Sequence, residues 1–99
     1  MTTYVLTFRG QPDRATPAGA EEKWGAWFAE LGSSIANPGS RVGETITVDA
    51  DEPGDPATAV LTGFMLVNAG TIAAASDLAR GCPGLAHGVS VEVGEFAET

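Results

Sequence analysis

Few side chains in this sequence have the type and placement that chemistry needs. His87 is the only histidine. An imidazole changes charge around neutral pH, which makes His87 the candidate general acid or base. Arg9 offers a guanidinium that grips carboxylates through paired N–H donors, and Asn68 an amide that both donates and accepts. Arg9 ends the first apolar stretch, Asn68 ends the third, and His87 precedes the last. If the chain forms a sheet of strand order 4-1-3-2, the three are expected at one rim, where they would suit a small anionic ligand. The competing reading pairs Arg9 with Glu92 or solvent, gives Asn68 a turn-shaping role and leaves His87 as an ordinary rim residue.

Other candidates read as structural. Cys82 follows the end of a helix, where the dipole disfavours a thiolate, so a buried packing cysteine is expected. It is the sole cysteine, which excludes an intrachain disulfide, and one histidine leaves no Cys/His set for zinc. Residues 49–58 carry Asp49, Asp51, Glu52 and Asp55. They lack the Asp-x-Asp-x-Asp-Gly order of a calcium loop, and a solvated loop is expected. Trp24, Trp27 and Phe28 recur at helical spacing and read as core before they read as a ligand-stacking box. No phosphate-cradling glycine loop, nucleophile elbow or paired-carboxylate spacing occurs, and no cofactor is expected.

Composition narrows the partners. Ninety-nine residues with 43% hydrophobic and 18% charged side chains describe one folded domain, residues 1–99. Five basic against thirteen acidic side chains leave a net charge of -8, which repels phosphate backbones and anionic lipid and argues against nucleic-acid and membrane partners. No run is long enough for a membrane helix, and the start lacks the basic-then-apolar order of a signal peptide, so a cytoplasmic protein is expected.

The elements that must position these residues follow from periodicity. The stretch Tyr-Val-Leu-Thr-Phe-Arg at residues 4–9, stopped by Gly10, is a strand. Thr16-Pro17 reads as a helix start, and Ala20, Trp24, Trp27, Phe28 and Leu31 form one apolar face with Glu21, Glu22, Lys23 and Glu30 mostly opposite. Residues 32–43 read as a turn-rich connection around Asn37-Pro38-Gly39. A short strand is expected at residues 44–48, followed by the acidic loop at 49–58. Phe64 to Val67 is a continuous apolar run, read as a strand covered on both faces or nearly so. Thr71 caps a second helix carrying Ile72, Ala75, Leu78 and Ala79, and Gly81 reads as its C-terminal cap with Pro83 behind it. Val89, Val91 and Val93 alternate with Ser90 and Glu92 in a last strand with one buried face. Residues 95–99 are expected to fray.

The order strand, helix, strand, strand, helix, strand is the α+β, ferredoxin-like βαββαβ pattern, an antiparallel sheet with both helices on one face. The other face keeps apolar side chains, and a homodimer whose sheets form an α/β barrel is expected to cover them.

Gly63-Phe64 leading into an apolar strand, the run Asp77-Leu78-Ala79-Arg80-Gly81-Cys82-Pro83-Gly84-Leu85, and the terminal Gly88-Val89-Ser90-Val91-Glu92-Val93 together resemble the YCII-related family, including its DGPF branch. The opening strand and the aromatic first helix fit as well. The resemblance implies a dimeric α/β barrel with a cleft that binds a small molecule or hosts catalysis. The sequence departs from the family in three places. The Asp-Gly-Pro-Phe motif is absent. Lys23 and Trp24 stand where one branch has a helix histidine, and Cys82 stands in place of an acid near the end of the second helix. Three functions are therefore expected to compete. One is a small-molecule-binding dimer using Arg9, Asn68 and His87. The second is a cofactor-independent lyase, isomerase or oxygenase-like enzyme with His87 as acid or base. The third is a protein-interaction module.

Overall fold

A computed structural model describes residues 1–11, 18–46, 48 and 60–97. In chain order the elements are β1 (Thr2–Gly10), α1 (Ala20–Leu31), β2 (Ile35–Arg41), β3 (Val60–Ala69), α2 (Ile72–Ala79) and β4 (Ser90–Glu95), with short 3-10 segments at Gly32–Ser34 and Pro83–His87. The four strands lie in the order β2-β3-β1-β4, every neighbouring pair antiparallel. This α+β connectivity is compatible with a ferredoxin-like fold.

Alternation along β1 decides the two faces of the sheet. Tyr4, Leu6, Phe8 and Gly10 are buried toward the helices, while Thr3, Val5, Thr7 and Arg9 face away. Met65, Val67 and Ala69 of β3 join the first set, and Trp27, Leu31, Ala75, Ala79 and Cys82 complete the core above them. On β4, Val91 pairs with Phe8 and Val93 with Leu6. Both pack on this core, as their alternation requires. Leu6, Met65 and Val67 are fully buried.

The first helix ends at Gly32, whose φ of 51° fits a residue without Cβ and whose N–H donates to the Phe28 carbonyl. Its start differs from expectation: Gly19, with φ 78°, precedes Ala20 and no side chain caps it. Thr16 and Pro17 lie outside the described residues. Thr71 does cap α2, its Oγ1 accepting from the Ala74 N–H at 3.1 Å.

Two strand boundaries are corrected. The second strand is Ile35–Arg41, within the stretch read as a connection, and not residues 44–48, where Ile46 and Val48 stand about four-fifths exposed, at 77% and 82%. Asn37-Pro38-Gly39 is a bulge inside this strand: the pairing with β3 shifts on both sides of Asn37, and Asn37 Oδ1 accepts from the Gly39 N–H at 2.8 Å. Proline is tolerated because β2 is an edge strand whose outer N–H groups need no ladder partner. Gly39 has φ 69°, and a Cβ there would run into the Phe64 carbonyl. Within the single subunit, β3 is covered on its helix face, and Phe64 is 37% exposed on the other, between buried Gly63 and Met65. Finally, Glu95 belongs to β4, and the Phe96 N–H continues the pairing to the Thr3 carbonyl at 2.9 Å. The expected acidic loop at 49–58 lies outside the described residues.

Gly81 is not a left-handed cap either. The helix closes through right-handed Arg80, and Gly81 is absent from the positive-φ glycines. Its role is space: a Cβ would sit 2.9 Å from Trp27 Nε1. Gly84 is equally constrained, its Cβ position lying 2.8 Å from Val89 Cβ and 3.2 Å from Trp24 Cζ2. Gly25, inside α1, has nothing within 4 Å of its Cβ position. Gly81→Ala and Gly84→Ala are each expected to destabilise the fold by about 1–3 kcal/mol through overpacking. Gly25→Ala is expected to stabilise it by about 0.5–1 kcal/mol through helix propensity. Urea midpoints of the three variants check this; a Gly81→Ala midpoint equal to the parent's would show that the Trp27 ring is not held against the backbone.

Candidate functional site

The site grows out of the aromatic packing between α1 and the sheet. Phe8 on β1 meets Trp24 at a centroid distance of 5.3 Å and Trp27 at 6.0 Å, both edge to face. Trp24 meets Phe28, one helical turn on, at 6.1 Å. These rings occupy the layer between helix and strands, and beside them lies a cavity of about 730 Å³. Its floor includes Phe8, Gly10 and Met65, α1 contributes Trp24 and Phe28, and the β2 bulge contributes Pro38 and Gly39. The 3-10 segment closes another side through Pro83, Gly84 and His87. A volume of this size suits a small molecule, for which sites commonly measure about 300–1,000 Å³.

His87 is positioned by that 3-10 segment. Pro83 opens it, Gly88 at φ 85° ends it, and the Val89 N–H returns to the Gly84 carbonyl at 3.0 Å. The imidazole is half-buried at the cavity wall, where it can exchange a proton or a hydrogen bond with an occupant.

Arg9 and Asn68 do not join it, and the expected three-residue rim is corrected. Strands β1 and β3 run antiparallel, so the end of one lies beside the start of the other: Asn68 pairs with Thr3, whereas Arg9 pairs with Leu61 and Ser90. Asn68 therefore sits at the far end of the sheet, its Oδ1 accepting from Thr3 Oγ1 at 2.9 Å. Arg9 is at the same end as His87 but on the opposite face. Its neighbours Phe8 and Gly10 both turn toward the helices, and two-residue alternation points Arg9 away. It is exposed, and among the described residues no carboxylate pairs with it.

Among the described residues, the charged ones that border the cavity are Lys23, Glu21 and Arg41. Helical periodicity assigns Lys23 and Glu21 to the flank of α1, and only the standoff of the helix turns that flank into a cavity rim. Arg41 belongs to β2, a strand without apolar alternation. The signal available in the sequence was the scarcity of cations in an acidic chain, which makes each of the five a candidate to be followed.

Trp27 is core, 3% exposed, its Nε1 donating to the Leu78 carbonyl at 3.2 Å. Trp24 and Phe28 are only partly covered, so they serve both as packing and as cavity wall. Among the described residues no group of three or more His, Cys, Asp or Glu is arranged to hold a metal, and no helix is long and apolar enough to cross a membrane.

Cys82 is buried, 3% exposed, as a packing cysteine should be. Burial pushes its thiol above the ordinary value, against the opposing pull of backbone hydrogen bonds from Gly84 and Leu85. The unfolded chain therefore loses this proton at lower pH than the folded chain. The contribution is intact below the ordinary thiol pKa and is lost as pH rises from there toward the raised folded value. Stability is expected to fall as pH rises above the ordinary thiol pKa of about 8.5, and Cys82→Ala to flatten that part of the fall while lowering stability at neutral pH. Denaturant titrations of both proteins across the alkaline range check it; parallel slopes would show that the thiol takes no part. No protein-family model matches the chain, and no curated protein matches it.

Proposed function

We propose that the protein is a YCII-related, ferredoxin-like subunit that pairs with a second copy through its uncovered sheet face and binds a small molecule in the cavity under α1. The observation that carries the binding reading is the cavity of about 730 Å³, walled by aromatic side chains and bordered by the only histidine of the chain. Sites of this kind combine apolar walls with a few polar groups that set orientation. The sheet face opposite the helices supports the pairing: Phe64 is 37% exposed there, beside half-covered Val5 and Leu66. An apolar face of this kind on a sheet is a burial surface waiting for a layer.

His87 at the cavity wall favours a second reading, in which the same pocket performs acid–base chemistry without a cofactor, as a lyase, isomerase or oxygenase-like enzyme would. Arg9 takes no part in either reading, because it lies across the sheet from the cavity.

Native mass spectrometry of the purified protein tests both halves. A dimer carrying extra mass is the expected result and would deliver the mass of the occupant. A chain that stays monomeric at micromolar concentration would defeat the pairing. Phe64→Glu is expected to leave the subunit folded, since Phe64 is 37% exposed and stands outside the core cluster, and to shift the dimer to monomer. If the variant dimerises like the parent, the sheet face is not the interface.

A further inference from the structure

The charge around the cavity runs against that of the chain. Thirteen acids outnumber five bases in the sequence, yet the described residues bordering the cavity include Lys23 and Arg41 against the single acid Glu21, with His87 beside them. Among the described residues the only ion pair joins Arg80 to Asp77, so no described carboxylate neutralises Lys23 or Arg41. The aromatic wall is a separate observation. Trp27 is 3% exposed and Phe28 36%, while Trp24 is half-covered. The two rings nearest the cavity thus keep surface that their own packing does not use.

Resting on the reading of this cavity as a small-molecule site, we propose that its ligand is a flat aromatic carboxylate. The ring system lies against Trp24 and Phe28, and the anionic group sits among Lys23, Arg41 and His87. Offset stacking and edge-to-face contacts reward a planar ring over a puckered one of equal size. Arg41 can hold both oxygens of a carboxylate at once, and Lys23 adds a point charge. A cationic ligand would gain contact with the same ring faces, but it would meet two cations and one acid at the rim. A neutral aromatic would leave the rim charges without a partner among the described residues.

Calorimetric titration of the intact protein with naphthoate, naphthamide and decalin carboxylate separates the contributions. These probes share a size while differing in charge or in planarity. Naphthoate is expected to bind about tenfold tighter than naphthamide, the scale of one charge-assisted hydrogen bond, and about three- to tenfold tighter than decalin carboxylate, the scale of an aromatic ring contact. The double variant Lys23→Gln/Arg41→Gln, which changes two exposed side chains, is expected to bind naphthoate no better than naphthamide. If naphthamide matches naphthoate on the parent protein, the anion preference is wrong while the cavity reading stands. If decalin carboxylate matches it, the ring preference is wrong. If none of the three binds, the aromatic-carboxylate proposal falls, and the cavity reading falls with it if the purified protein also carries no occupant.

Discussion

The seating of the Trp27 ring is the contact on which the rest of the structure depends. The indole is buried between both helices and the sheet, meets Phe8 edge to face at 6.0 Å, and donates its N–H to the Leu78 carbonyl at 3.2 Å. A buried indole N–H without an acceptor is costly, and here the acceptor belongs to the other helix. One side chain therefore fixes α1 against α2 and both against β1. The same contact explains a glycine that has no conformational reason to exist: at Gly81 a side chain would occupy the space of the ring.

The consequence for function is a matter of thickness. Helices that pack on a sheet through alanine approach it closely, as α2 does through Ala75 and Ala79. By contrast, α1 packs through Trp24 and Trp27, and large rings hold its axis further out. Where the rings end, toward the β2 bulge, the layer is not filled. The cavity is thus a by-product of unequal helix standoff, and the bulge at Asn37-Pro38-Gly39 shapes its border by bending an edge strand that β3 pairs on one side.

Electrostatics then gives this space a direction. An acidic surface repels anions at long range, but screening confines that repulsion to about 8–10 Å at physiological ionic strength. Inside that distance the local field among the described residues is set by Lys23 and Arg41 against Glu21. His87 adds a group that can carry or release a proton, held in place by a 3-10 segment with a proline at one end and a glycine at the other.

Much of this was legible in the residues. The valine alternation of β4, the Thr71 cap and the aromatic stripe of α1 follow from local periodicity and capping chemistry, which act over a few residues and leave a direct trace. Burial of Cys82 followed from its place after a helix. The second strand left no such trace, because an edge strand takes its backbone partners from β3 and needs neither apolar alternation nor freedom from proline. The candidate site was legible only at His87. Grouping it with Arg9 and Asn68 required strand direction and side-chain parity, and antiparallel pairing separates Asn68 by the length of the sheet while alternation turns Arg9 to the opposite face. Local sequence determined both helices and the strands β1, β3 and β4, and which side chains each must bury. Only the tertiary structure decided which ends meet, which face each charge occupies and where space is left over, because those depend on register and on the bulk of rings brought together from distant parts of the chain.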